Sequence, residues 1–261
     1  MTEKQIVVAN QLVNYLTNDI ADPSAGAVVF LHGWRSDARV WKPIIERLLR
    51  DYARNDNILN FYALDLPGFG KSEKPKRDFN LDNYAAVVMG LIKKLQLENV
   101  ALVGHSFGGR VAIKLSVLEP DLIHKLILVD SAGYRLNKSR NALLRVVAKL
   151  FKPFFMVFGL KMLRFRIYRA IGADDYLATP ELKQTFLNVI NEDLTALLQY
   201  IRQETLIVWG GRDEDTPLVL AMWLKEHIGR SDLVIFHDAG HFSFLDEPDK
   251  FVEAVKDFLK G

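Results

Sequence analysis

A series of short, almost unbroken apolar runs, set between stretches of helical periodicity, restricts this chain's fold more than any other feature. Ala27-Val28-Val29-Phe30-Leu31 contains no polar residue, and Asn60–Leu64, the run ending at Val103, Lys125–Val129, Thr205–Trp209 and Leu233–Phe236 are nearly as apolar. A strand with one face in water alternates apolar and polar side chains. A run without that alternation must be covered on both faces, as in a parallel sheet held between layers of helix. The intervening segments supply those layers. Trp41, Ile44, Ile45, Leu48, Leu49 and Tyr52 share one helical face, and so do Tyr84, Val87, Val88, Leu91, Ile92 and Leu95. The same periodicity returns in Val111, Ala112, Leu115 and Leu118, and in Phe251, Val252, Val255, Phe258 and Leu259 behind Pro248. Two β-prone runs at the start, Ile6–Ala9 and Leu12–Leu16, are split by Asn10-Gln11 and read as an antiparallel hairpin. The expected fold is α/β, a mostly parallel, twisted, eight-stranded sheet with helices on both faces.

The alternation breaks once. From Tyr134 to about Gln203 there are helical segments but no buried strand, which predicts a core of residues 1–133 and 204–261 and a helical lid of residues 134–203 inserted after the sixth strand. The 261 residues suffice for one such domain with an insertion. The absence of cysteine excludes disulfides, thiolate metal sites and a cysteine nucleophile. Met1-Thr2-Glu3-Lys4-Gln5 begins no signal pattern, so a cytoplasmic protein is expected, and the sequon at Asn137-Lys138-Ser139 is then accidental.

Chemistry is announced at Leu102-Val103-Gly104-His105-Ser106-Phe107-Gly108-Gly109. An apolar run stops at Gly-x-Ser-x-Gly, and helical periodicity follows at once, until Glu119-Pro120. A strand turning directly into a helix lifts the corner serine into solvent at a helix N-terminus, where unpaired N–H groups can stabilise an oxyanion. A neutral serine needs a base to take its proton and an acid to hold that base, both expected in loops at the carboxyl ends of strands. His241 follows the last strand and Asp213 the one before, so Ser106, Asp213 and His241 are the expected catalytic residues, in the chain order of an elbow nucleophile. His237, four residues before His241, competes as the base. His124 and His227 read as surface residues on helix ends, and His32 and His105 as structural. Asp215 and Asp130 compete with Asp213, Asp130 having a plainer reading as a loop or cap carboxylate. The oxyanion hole is expected from the backbone N–H groups of Phe107 and Trp34.

Asp65-Leu66-Pro67-Gly68-Phe69-Gly70-Lys71-Ser72 invites a phosphate-loop reading, but Asp65 stands where a glycine is needed and Pro75 interrupts the required helix. A tight Pro-Gly turn on the rim of a site accounts for it better. No cofactor and no metal are expected.

Together with Trp209-Gly210-Gly211-Arg212-Asp213 through Pro217 and Gly240-His241, the motifs His32-Gly33-Trp34, Asp65 to Ser72 and Gly104 to Gly109 resemble the α/β-hydrolase superfamily from about residue 27 onward. His32-Gly33-Trp34 with Val40-Trp41 resembles its lidded carboxylesterase branch, which includes the pimeloyl-carrier-protein methyl ester esterases. Ser106 sets the chain apart from the haloalkane dehalogenase and epoxide hydrolase branches, which place aspartate there. The resemblance implies a serine carboxylester hydrolase acting through an acyl-enzyme on small to medium-chain esters. Two alternatives share the scaffold: a C–C bond hydrolase of ring-cleavage products, and a small-molecule receptor that does not turn over.

The inserted segment carries its own signal. Between Tyr134 and Gly172 stand ten Lys or Arg residues and no Asp or Glu, so the overall charge of +2 conceals a negative remainder. These charges fit a lid whose cations stay in water, an anionic lipid surface, or an acyl carrier as partner. Nucleic acid is not expected, since no binding module accompanies the charge. Phe151, Phe154, Phe155, Phe158 and Met162 are too many for one narrow helical stripe, which suggests that some line an acyl channel.

Overall fold

A computed structural model describes residues 1–18, 26–53, 59–131 and 179–260. The expectations for residues 134–178, including the basic cluster, the five channel residues and the sequon, lie outside them. One eight-stranded sheet runs in the order β1-β2-β4-β3-β5-β6-β7-β8. β1 (Thr2–Val8) and β2 (Gln11–Thr17) form the antiparallel hairpin, and β2 pairs antiparallel with β4 (Asn60–Leu64). All remaining pairs are parallel, among β3 (Ala27–Leu31), β4, β5 (Val100–His105), β6 (Ile123–Val129), β7 (Glu204–Gly210) and β8 (Ser231–Phe236). β1 begins four residues earlier than Ile6, the start of the predicted run. Thr2-Glu3-Lys4-Gln5 is an exposed edge held by backbone pairing, so apolar pattern gives no sign of it.

The apolar runs are buried on both faces. Val28, Phe30, Val103, Ile127, Val129, Leu206 and Val208 pack with α1 (Lys42–Ala53) and α7 (Pro248–Lys260), where Trp41 stacks on Phe244 at 4.1 Å. Their sheet neighbours Val29, Leu31, Leu102, Leu126, Leu128, Ile207 and Trp209 point the other way, into α2 (Leu81–Lys94), α3 (Phe107–Leu118) and α5 (Val219–His227). Between β6 and β7 the described residues include a 3₁₀ turn at Pro180–Leu182, α4 (Lys183–Asn191) and a second 3₁₀ turn at Thr195–Tyr200. Leu182, Val189, Leu194, Leu198 and Ile201 are built into the core on the α2–α3 face.

Two local expectations need correction. The periodicity through Tyr84 and Leu95 predicts a helix from Leu81 to Leu97, but it stops at Lys94, because Gln96 adopts a left-handed φ of 53° while its N–H and that of Leu97 return to the carbonyls of Lys93 and Ile92. That is a Schellman closure, in which an apolar residue beyond the cap folds back on the last turn and prolongs the helical pattern in sequence. His124 lies on β6 rather than at a helix end, although it is exposed as expected.

The registers align the strand ends. Leu31 pairs with Gly104, His105 with Val129, Val129 with Val208, and Gly210 with Phe236. Residues just beyond β3, β5, β6, β7 and β8 therefore emerge along one carboxyl edge.

Candidate active site

Ser106 occupies the turn between β5 and α3 with φ 50° and ψ −110°, a conformation that L-residues rarely adopt. The crossing is tight. A methyl group on Gly104 would stand 2.5 Å from the carbonyl oxygen of Gly108, which excludes a side chain there. The N–H of Ser106 donates to the Val129 carbonyl at 3.0 Å, tying the elbow to β6. Phe107 opens α3, and Trp34 follows β3 in a turn. Among the described residues neither backbone N–H meets an acceptor. Gly33 lets the Trp34 loop lie against the buried His105 ring, since a methyl group there would stand 2.8 Å from its Nδ1.

Asp213 lies beyond β7 and His241 beyond β8, and their side chains meet. His241 Nδ1 donates to Asp213 Oδ2 at 2.9 Å, leaving Nε2 as the free ring nitrogen. Thr216 completes the arrangement. Its hydroxyl donates to the same Oδ2 at 2.6 Å, and the N–H groups of Asp215 and Thr216 donate to Oδ1 at 2.9 and 2.8 Å. Burial opposes the charge on both partners. On Asp213 that effect is outweighed by the His241 and Thr216 hydrogen bonds and the His241 charge, and its pKa falls below the usual carboxylate value. On His241 the Asp213 hydrogen bond and charge prevail over burial, helped by Asp215 and Asp130, and the pKa rises above the ordinary histidine value. Among the described residues no hydrogen bond joins the Ser106 hydroxyl to the imidazole; the link between their loops is His105, whose Nε2 donates to the His241 carbonyl at 2.7 Å.

The competing residues are placed elsewhere. His237 is exposed, and His227 is exposed at the end of α5. Asp130 is buried with both carboxylate oxygens bonded to Gly210 and Ser243. His32 donates from Nδ1 to the Gly33 carbonyl at 2.7 Å and accepts the Leu66 N–H at Nε2, 2.9 Å, which joins the β3 and β4 loops through a neutral ring. Burial lowers its pKa, and burial together with the His241 charge takes that of His105 down to about 3.

Asp65 is the organiser of its turn. Its carboxylate accepts from the Ala38 N–H at 2.7 Å, the Lys71 N–H at 2.8 Å and the Asn14 side chain at 2.9 Å. Gly70, at φ 55°, leaves the space that this carboxylate fills, since a methyl group there would lie 2.2 Å from Oδ2. Sequence reasoning missed this role and that of Thr216. The Asp-x-x-Thr spacing, which suits a side chain bonding to nearby backbone, was the available signal for the second.

An aromatic wall stands beside the elbow. The Trp34 ring lies 4.8 Å from Phe69, 5.1 Å from Phe107 and 5.0 Å from Phe186, and its Nε1–H donates to Thr179 Oγ1 at 3.2 Å. Among the described residues no group of three or more His, Asp or Glu is placed to hold a metal ion, and no helix is long and apolar enough to cross a membrane.

Comparison with known proteins agrees with this architecture. The chain is 27% identical to a pimeloyl-[acyl-carrier protein] methyl ester esterase of Nitrosomonas europaea, over 86% of this chain and 92% of that one. It is 26% identical to a 2-hydroxymuconate semialdehyde hydrolase of Pseudomonas sp. strain CF600, over 94% and 90% of the two chains. The fold matches that of an esterase from Exiguobacterium antarcticum with a TM-score of 0.75 and 24% identity, covering both chains completely. A family model described as the alpha/beta hydrolase family matches residues 28–254. A hydrolase core with its strand ends aligned under a Gly-x-Ser-x-Gly elbow is thus matched over most of its length, and the chain belongs to the alpha/beta hydrolase family.

Proposed function

We propose that this hydrolase is a serine carboxylesterase. Ser106 Oγ attacks the ester carbonyl while His241 Nε2 takes its proton. Asp213 holds the Nδ1–H and stabilises the imidazolium, and the N–H groups of Trp34 and Phe107 receive the oxyanion. The alcohol leaves with a proton from His241, and water activated by the same ring resolves the acyl-enzyme. The supporting observation is the 2.9 Å bond from His241 Nδ1 to a buried Asp213 carboxylate, on the edge of the sheet that also presents Ser106. The test is a panel of aryl esters of graded acyl length with the wild type and Ser106→Ala. Multiple turnovers lost in the variant support the reading, and unchanged hydrolysis in the variant overturns it.

Similarity to 2-hydroxymuconate semialdehyde hydrolase favours a second reading, cleavage of a C–C bond in a ring-cleavage product. A vinylogous diketone in the same panel separates the two. Turnover of the diketone with inert esters would select C–C cleavage.

A further inference from the structure

The buried carboxylate unused by the proposed chemistry is Asp130, at the carboxyl end of β6 between the loops that carry Asp213 and His241. It is fully buried at a left-handed φ of 45°, and among the described residues no lysine or arginine pairs with it. Three donors converge on it instead. The Gly210 N–H reaches Oδ1 at 2.8 Å, and the Ser243 N–H and hydroxyl reach Oδ2 at 3.0 and 2.7 Å. Gly210 is three residues before Asp213, whose N–H bonds to its carbonyl, and Ser243 is two residues after His241. The Thr216 hydroxyl that donates to Asp213 also stands 3.1 Å from the Asp130 carbonyl oxygen. Only an acceptor-only group satisfies three donors, because an amide in its place would turn an N–H toward one of them. Burying a carboxylate without a cation is costly, a cost that these three donors offset.

We propose that Asp130 is a positioning residue for hydrolysis: it fixes the β7 and β8 loops to each other so that His241 meets Asp213 in one geometry. The proposal rests on the reading of Ser106, Asp213 and His241 as the catalytic group. Burial, opposed by the Ser243 and Gly210 donors and reinforced by the Asp213 charge, pushes the Asp130 carboxyl up to about 7. The titratable groups around this cluster are Asp213 and Asp215 from the β7–α5 loop, His241 from the loop after β8 and His105 from β5. Ser243 and Thr216 are neutral.

The experiment compares wild type, Asp130→Asn and Ser243→Ala on p-nitrophenyl butyrate across pH, with active sites counted by a fluorophosphonate and the His241 ring titrated by NMR. Asp130→Asn is expected to lower kcat per counted site by about tenfold to a hundredfold, as a small misplacement of a general base does, with KM within about twofold. Its His241 titration should move to lower pH in both profiles. Ser243→Ala keeps the carboxylate and both backbone donors, so kcat should fall by about threefold to tenfold with the titration unmoved. Wild-type kcat per site and an unmoved titration in Asp130→Asn would overturn the proposal, whatever its melting temperature. If that variant does not fold, wild-type kcat in Ser243→Ala would overturn it. A wild type inert to both ester and fluorophosphonate would sink the esterase reading separately, and the NMR titration of the pair would still decide the Asp130–His241 coupling.

Discussion

Asp213 is held by four donors, and that arrangement sets the pH dependence expected of the enzyme. Only neutral imidazole can accept the serine proton, so kcat/KM should rise with pH as His241 deprotonates. Because the Asp213 bond and charge outweigh burial, the midpoint should lie above the ordinary histidine value. Asp213→Asn should lower that midpoint and reduce kcat by about 10⁴-fold, since the amide favours the wrong imidazole tautomer. A profile flat from about pH 5 to 8, the range of histidine titration, would contradict the assignment of the base. The elbow and the loops that bring His241 to Asp213 were legible because each follows an apolar run. Thr216, Asp65 and the His105 bond to the His241 carbonyl were not, since their partners are brought together only by the closed sheet.

Helices and turns report how local pattern becomes geometry. The apolar runs identified the eight strands, and the helix-forming faces of α1, α2, α3 and α7 are buried as the periodicity predicts, except that Leu118, the last member of the α3 face, is exposed. Boundaries failed where backbone geometry alone decides them, at the Schellman closure after Lys94 and along the polar edge strand β1. Asn80 begins α2 with a reciprocal pair of bonds, to the Asn83 N–H and from its own N–H to the Asn83 side chain. Asn80→Ala should therefore cost about 1 kcal/mol of stability with kcat unchanged, measured by denaturant unfolding. At the elbow, Gly104→Ala should cost about 1–3 kcal/mol from overpacking and should also lower kcat, because the displaced turn carries Ser106. Wild-type stability in that variant would mean the crossing can relax.

In the proposed mechanism the sheet edge fixes where chemistry happens, while substrate choice depends on what borders it. The wall of Trp34, Phe69, Phe107 and Phe186 is apolar and stands beside Ser106. If phenylalanines of the inserted segment extend it into an acyl channel, as their number suggests, medium chains should be preferred over acetate by about threefold to fourfold for each methylene buried. Activity falling steadily from acetyl esters upward would remove the channel. For the basic cluster, Arg164, Arg166 and Arg169 replaced by glutamine should weaken turnover of an ester presented on an acyl carrier while leaving neutral esters unaffected; equal activity on both would leave the cations as solvated charge. Those differences presuppose a covalent step at one serine, which can be observed directly by mixing the enzyme with p-nitrophenyl butyrate, recording the nitrophenolate burst and quenching for peptide mass spectrometry. The account predicts a burst approaching one equivalent per active site and a butyryl group on the peptide containing Ser106. Turnover without a burst or adduct, or an adduct on another residue, would contradict it.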